Sequence, residues 1–352
     1  MSRMTELFNA RENEILQFIR KNSGCSSTAV HENISEKVSI ASVKRSLSKL
    51  LDMRCIETIG KGKATKYFIS NSFLLNQPID MDAYYTKEVD EREIKQNFNF
   101  ELLDILGQTV DLFSPSELDK IKELQEKYLG NIKELSENQF ANELERLAID
   151  LSWKSSQIEG NTYSLLETEQ LLKEKKTAVG KTKEEAVMLL NHKDAIDFII
   201  AHPDFANPLS VSSIENLHQL LAKELPIERN LRTKRVGISG TNYRPLDNSF
   251  QIKEALQKSC EVINGKESVF EKALLSLVLI SYIQPFMDGN KRTARIISNS
   301  ILIHAQYCPI SFRTVDSMDY KKAMLLFYEQ NNIAAFKDIF IQQFEFAVET
   351  YF

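Results

Sequence analysis

The sequence predicts a mainly α protein in two parts, a small basic head and a larger acidic body. Three observations carry this. Gly (11) and Pro (8) are scarce among 352 residues, which argues against a loop-rich β protein. Leu, Ile, Lys and Glu dominate, so helix is favoured throughout. The charge is divided: through Ser70 there are 12 Lys and Arg against 7 Asp and Glu. Of the chain totals of 44 and 49, that leaves 32 against 42 in the rest, or +5 on the head and −10 on the body. A split of this kind suggests two jobs.

Bulk properties bound the class. Hydrophobic residues at 43% and charged residues at 26% are ordinary for a soluble globular chain with two or three domains. Charges interrupt every apolar run near the start, so no signal-peptide pattern is read there. The longest apolar run, Val269–Ile283, contains Glu271 and Lys272 and is too short to span a bilayer; a buried core helix is expected. Cys25, Cys55, Cys260 and Cys308 are far apart, which disfavours disulfides and zinc and fits a cytoplasmic protein without a membrane partner.

In the head, residues 1–70, Arg11–Gly24 has Ile15, Phe18 and Ile19 on one helical face and ends in Asn-Ser-Gly. Ser26–Ile34 starts with caps and reads as a short helix. Ser39–Met53 sets Ile40, Val43, Leu47, Leu50 and Leu51 against a polar face of Ser42, Lys44, Arg45, Ser46, Ser48 and Lys49. Two short strands around a Gly-Lys-Gly turn follow. Three helices and a hairpin is the order of a winged helix-turn-helix, whose third helix enters the major groove. Lys44, Arg45 and Lys49, with Lys61, Lys63 and Lys66 of the wing, would contact DNA phosphates. The plainer alternative is a protein-docking domain with solvated lysines.

Residues 71–97 are mixed and acidic and read as a linker; residues 98–352 are almost wholly helical in pattern. Asn142–Asn161 keeps Leu144, Leu147, Ala148, Leu151 and Ile158 in a stripe and stops at Gly160, a C′ residue. Glu159 thus sits in a last turn, where a carboxylate opposes the helix dipole unless a cation holds it. A solvated surface glutamate fits these residues equally well. Asn230–Asn248 interrupts the helices, and residues 234–246 read as a short β-hairpin with an edge that can pair with a peptide, or as a plain connector.

Gln284–Arg295, QPFMDGNKRTAR, follows the core helix and opens another. Asp288 is a hard oxygen ligand for Mg²⁺, Gly289 permits close backbone approach, and Asn290 can donate to a phosphate. The first-turn amides near Lys291–Thr293 favour an anion, and Arg292 and Arg295 are three apart on one face. A capped helix with solvated arginines is the alternative. The G-x-x-x-x-G-K-[ST] spacing of a P-loop is absent.

This stretch resembles the signature of the Fic family, H-[PF-like]-F-x-[DE]-G-N-[GK]-R-x-x-R, at Phe286, Asp288, Gly289, Asn290, Arg292 and Arg295. Ser155–Gly160 is similar to the inhibitory motif [ST]-x-x-x-E-[GN], and residues 234–246 resemble the target-holding flap. The resemblance runs from about residue 100 to about residue 310, and a fused winged helix is a familiar arrangement for it. It implies a helical fold that moves AMP from ATP to a hydroxyl of a target protein. Asp288 would hold Mg²⁺, and Gly289, Asn290, Lys291 and Arg292 would bind ATP, with Arg295 on the γ-phosphate. Ser155, Glu159 and Gly160 would form the inhibitory end of a helix at about residues 142–160, Glu159 pairing with Arg295. Val236, Gly237 and Ile238 would hold the target.

Two departures stand out. Gln284 occupies the position of the family's histidine base, and an amide can hydrogen-bond a hydroxyl but not deprotonate it. Losing a general base typically costs about 10² to 10⁴ in rate. Lys291 stands where many members have glycine, as in Doc-type phosphotransferases. The readings are therefore a slow adenylyltransferase, an ATP-binding silent regulator that binds DNA, a Doc-like phosphotransferase, or hydrolytic removal of AMP with Glu159 placing water. A homodimer is compatible with all four. His218, on an amphipathic helix, is expected to be structural.

Overall fold

The structure, a computed structural model, describes residues 8–108 and 110–352. The chain divides into two compact units. One runs to Arg92 and takes back two short pieces, ending at Leu112 and spanning Asn331–Ala335. The other comprises Glu93–Gln108, Phe113–Gln330 and Phe336–Phe352.

In the first unit three helices, α1 (Ala10–Lys21), α2 (Ser27–Asn33) and α3 (Ile40–Asp52), precede an antiparallel pair, β1 (Ile56–Ile59) and β2 (Lys66–Ile69). The register runs from Ile56↔Ile69 to Ile59↔Lys66. Each helix starts on the side-chain oxygen that the sequence supplies, Asn9, Ser26 and Ser39. Ile15, Ile19, Val30, Val43, Leu47 and Leu50 form the core. Two positions of α3 depart from expectation: Ile40 is 37% exposed because it lies in the first turn, and Ser46, assigned to the polar face, is buried. The expected linker is built as two short helices, α4 (Asn71–Asn76) and α5 (Met81–Tyr85), and a 3₁₀ turn at Val89–Glu91.

The second unit is helical: α6 (Phe100–Gly107), α7 (Pro115–Lys133), α8 (Glu137–Ile158), α9 (Leu165–Glu174), α10 (Lys183–Ala201), α11 (Val211–Leu221), α12 (Ser249–Gly265), α13 (Val269–Ile283), α14 (Asn290–His304), α15 (Ser317–Gln330) and α16 (Ala334–Tyr351), the last lying in this unit from Phe336 on. At its centre α13 is buried from Ala273 to Ile283 without a gap, as expected of a helix apolar on every side. It ends where Gln284 turns left-handed (φ +52°), and α14 begins at Gly289 (φ +80°). Two buried helices therefore pin both ends of the loop from Gln284 to Gly289.

The expected hairpin at residues 234–246 is instead an extended segment that turns at Ser239–Gly240 without strand pairing of its own. Its bridge is a parallel one, Arg244 to Asn97. Buried anchors replace the missing ladder. Tyr243 donates its hydroxyl to the Tyr282 carbonyl (2.9 Å) and stacks on the Tyr282 ring (4.8 Å). Arg232, fully buried, donates to the carbonyls of Gln284 (2.6 Å), Lys234 (2.9 Å) and Leu246.

Because α13 is the innermost element, Leu277→Ala, at a fully buried position, should cost about 2–5 kcal/mol in denaturant unfolding of the larger unit. A loss under about 1 kcal/mol would contradict close packing there.

Candidate functional site

The site grows from the corner between α13 and α14. A cleft of about 450 Å³ is lined by Glu159 and Gly160, by Gly237–Ser239, by Gln284, Asp288, Asn290 and Lys291 of the corner, and by Tyr320, Met324 and Tyr328 of α15. That volume lies within the range of small-molecule sites. The structure thus brings together residues that the sequence keeps more than a hundred positions apart.

The electrostatic centre is Glu159. It caps the C-terminus of α8, and Gly160 follows with φ +97°, the left-handed residue that ends the helix. Glu159 Oε1 accepts from Arg295 Nη2 at 3.0 Å, and Oε2 from Lys291 Nζ at 3.0 Å. Burial pushes the carboxyl up, but the charges of Arg295 and Lys291 and their hydrogen bonds outweigh this and hold it at about 2. Arg295 is fully buried. Its Nε donates to Ser155 Oγ (2.8 Å), its Nη2 to the Ser155 carbonyl (2.9 Å), and the guanidinium lies 5.2 Å from the centre of the Tyr320 ring. Ser155 Oγ also meets His192 Nε2 at 2.7 Å. Ser155 Oγ is thus shared between the Arg295 guanidinium and the His192 ring. Burial first, then the charges of Arg295 and Arg292, keep His192 neutral.

Arg292 faces a different partner. Its Nη2 meets Asp288 Oδ2 at 3.1 Å, while Nε and Nη1 are buried with no acceptor. The residue is only 1% exposed. A buried guanidinium with two donor atoms idle is one that a bound oxyanion would satisfy. Beside it, the first turn of α14 has no side-chain cap at Gly289, so its amides also lack a side-chain acceptor. The arginines expected as solvated in the plainer reading are both buried. They also do not act as one pair: Arg295 shares Glu159 with Lys291, and Arg292 belongs to Asp288.

The corner itself is held by its own polar groups. Asn290 donates to Gln284 Oε1 (3.0 Å) and to the Phe286 carbonyl (2.9 Å) and accepts from Phe286 N (2.8 Å). Gln284 Nε2 donates to the Ser281 carbonyl (2.7 Å). Both amides proposed for ligand chemistry are thus engaged within the loop. His218 stacks on Phe286 (3.6 Å, 6° between planes) and touches the Asp288 carbonyl with Nε2 (2.9 Å), a supporting position. Burial lowers its pKa, although the Asp288 and Arg229 carbonyls oppose that.

Among the described residues no group of three or more His, Cys, Asp or Glu could hold a metal ion. Of the two carboxylates at the cleft, Glu159 is taken by Arg295 and Lys291, and Asp288 is the more exposed, with its side chain 59% exposed. One carboxylate suits Mg²⁺, which takes its remaining ligands from water and substrate phosphates. Val236, Gly237 and Ile238 lie in the extended segment, the latter two lining the cleft. In the first unit Lys44, Lys61 and Lys63 are exposed; Arg45 Nη2 donates to Ser42 Oγ (3.3 Å), and Lys49 pairs with Glu12 (2.8 Å). Sequence reasoning did not find the Lys291–Glu159 pair, Arg232 or His192. The four-residue spacing of Lys291 and Arg295 carried the first; nothing in the sequence marks the other two.

Residues 208–302 match the family model described as Fic/DOC family. Over 239 residues the chain is 28% identical to a protein named protein adenylyltransferase Fic from Nematostella vectensis, covering 63% of this chain and 53% of that one. Over 159 residues it is 28% identical to the protein of the same name from Drosophila melanogaster, covering 44% and 32%. The chain thus spans about half or less of the length of these curated relatives. In fold it is similar to a Fic domain containing signaling protein from Bacteroides thetaiotaomicron (TM-score 0.57, 20% identity, 65% of this chain and 94% of that one). It is likewise similar to a fragment of Fic-1 from C. elegans in which one glutamate is replaced by glycine (TM-score 0.57, 19% identity, 67% and 71%). The fold of the larger unit is a Fic fold, and no helix among the described residues is long and apolar enough to cross a membrane.

The Glu159 carboxyl titrates at about 2 in the folded chain against an ordinary 4.5. Its ion pairs therefore stabilise the fold at all higher pH and fade as pH falls from about 4.5 to about 2. Wild type should exceed Glu159→Gln in unfolding free energy by on the order of 3 kcal/mol at pH 7. The gap should hold down to about pH 5 and shrink below it. A gap that is independent of pH would contradict an ionised, paired Glu159.

Proposed function

We propose that this Fic-fold unit is a protein adenylyltransferase that moves AMP from ATP to a hydroxyl of a target protein, is held inactive by Glu159, and is slowed by Gln284. The observation that carries the reading is the buried cationic cradle at the start of α14: Arg292 with two idle donor atoms, and Arg295 occupied by a carboxylate from another helix. A cradle of this kind is built for an oxyanion, and the relatives' names supply the transfer chemistry.

In this reading Arg292 and the first-turn amides of α14 bind phosphate oxygens, and Asp288 holds Mg²⁺. That ion would neutralise charge on the leaving pyrophosphate. Arg295 takes the γ-phosphate once Glu159 leaves. Glu159 obstructs binding twice over, because it neutralises Arg295 and Lys291 and brings a negative charge into the phosphate position. The target oxygen attacks the α-phosphorus, the bond to the β-phosphate oxygen breaks, and pyrophosphate departs with the electron pair. The hydroxyl proton must then reach solvent or substrate, since Gln284 has no basic atom. Positioning and charge carry most of such transfers, so the reaction is slowed rather than abolished.

A second reading, an ATP-binding regulator without turnover, is favoured by the state of Gln284. Its amide is bonded at both ends, to the Ser281 carbonyl and to Asn290, and is a structural member of the loop. In either reading we assign DNA binding to the first unit, supported by exposed Lys44 on α3 and Lys61 and Lys63 between the strands. Lys49, already paired with Glu12, is the weakest member of that set.

ATP with Mg²⁺ should raise the melting temperature, and more so in Glu159→Gly, where the triphosphate meets a free Arg295. Equal ATP affinity in both proteins would sink the inhibitory role; no shift in either would sink the nucleotide site. With α-labelled ATP, Glu159→Gly combined with Gln284→His should self-label about 10²- to 10⁴-fold faster than Glu159→Gly alone. Comparable rates would mean that residue 284 is not the proton acceptor's position. For the first unit, DNA affinity should fall steeply with salt, and Lys44→Ala should lower the salt slope by about 1. A flat response would leave no role for phosphate contacts.

A further inference from the structure

The extended segment at residues 234–246 is a wall shared by two cavities. Gly237, Ile238 and Ser239 line the nucleotide cleft. Arg235 and Val236, immediately before them, line a second cavity of about 460 Å³. Two aromatic rings, Phe98 and Phe100, form its floor, and the charged residues Arg244 and Asp247 also line it.

The floor is rigid. Phe98 stacks on the Tyr282 ring (4.7 Å), which belongs to the buried helix α13. The wall is fixed by the Arg244 amide, which donates to the Gln96 carbonyl (2.7 Å) in the bridge to Asn97. The charges do not balance. Arg235 is taken by Asp247 (2.8 Å), and Lys234 beside it by Glu228 (2.7 Å). Arg244 is exposed and its side chain has no ion-pair partner among the described residues. The cavity therefore has one guanidinium to spare, over a floor of two aromatic rings. Arginine and aromatic side chains are the types that anchor protein interfaces.

We infer that this second cavity is a specificity pocket for an acidic side chain of the target segment, with Arg244 as its anion partner. The inference rests on the transfer reading of the cleft, since it needs a target chain lying along the wall. An extended chain advances about 3.3 Å per residue, so one paired with the wall keeps the spacing of the wall itself. The acidic residue then stands about one to four positions from the modified hydroxyl, the separation of residues 235–236 from 237–239. The bond is a charge-assisted, fork-shaped contact between guanidinium and carboxylate.

The test uses the full chain and fluorescein-labelled peptides of one serine in an alanine-rich extended sequence. Each peptide has Glu or Lys at one position, one to four residues to either side. Binding is read by fluorescence polarisation at low salt, with the ATP-induced melting shift measured on the same samples. At one position Glu should bind about tenfold more tightly than Lys. Arg244→Glu should reverse that order while keeping the ATP shift, which shows the variant folded and its cleft intact. Equal binding of Glu and Lys peptides at every position, or a preference that survives Arg244→Glu, overturns the pocket and leaves the nucleotide reading standing. Loss of the ATP shift in wild type itself overturns the nucleotide reading and this inference with it.

Discussion

A guanidinium taken fully out of water must be given acceptors, and the larger unit is organised around that requirement at Arg295. Its acceptors come from a helix 136 to 140 positions earlier in the chain: the hydroxyl and carbonyl of Ser155 and the carboxylate of Glu159. Helix α8 is therefore held against α14 by polar contacts at its last turn, where a helix presents bare carbonyls and a carboxylate is least welcome. The unfavourable placement of Glu159 against its own helix dipole is offset by two cations from another helix. A carboxylate so placed is stable only while both remain available to it. That makes it a natural competitor for any other anion that seeks the same cations.

The corner between α13 and α14 separates geometry from chemistry. Gln284 keeps a left-handed backbone, closes the C-terminus of a buried helix and accepts from Asn290. A glutamine amide satisfies all of these demands. What the amide cannot do is take up a proton near neutral pH, as an imidazole can. The loop has further supports that do not involve residue 284: His218 stacks on Phe286, and Asn290 bonds both the Phe286 amide and carbonyl. In the reading proposed above, binding and turnover would be decoupled at this one side chain.

The fold was legible where the pattern was local. Caps and apolar spacing located the three helices and the hairpin of the first unit within a few residues, and the run Val269–Ile283 is α13 to the residue. The extended segment at 234–246 was misread as a hairpin because alternation at Val236 and Ile238 looks the same whether the partner is a strand or a cavity wall. Its support comes from Arg232 and Tyr243, through contacts with α13 and the corner after it that no local pattern encodes. In the site, residue identities were legible and their pairings less so. Arg292 and Arg295, three apart, were grouped on one face; the structure groups by four instead, Asp288 with Arg292 and Lys291 with Arg295.

That regrouping changes how the site would open. Were Glu159 held by Arg295 alone, the contact would be buried on the cation's side and insensitive to its surroundings. Lys291 is different: its side chain is 26% exposed, against none for Arg295. Solvent, salt and an incoming polyanion reach the lysine first. Lys291 is also a flexible ammonium that can turn to a phosphate without moving the backbone, whereas Arg295 is fixed by Ser155 and the Tyr320 ring. If an anion displaces Glu159 as proposed above, the accessible ion pair would weaken before the buried one. In the reading proposed above, Lys291, the more accessible of the two cations, would be the handle by which the carboxylate is released.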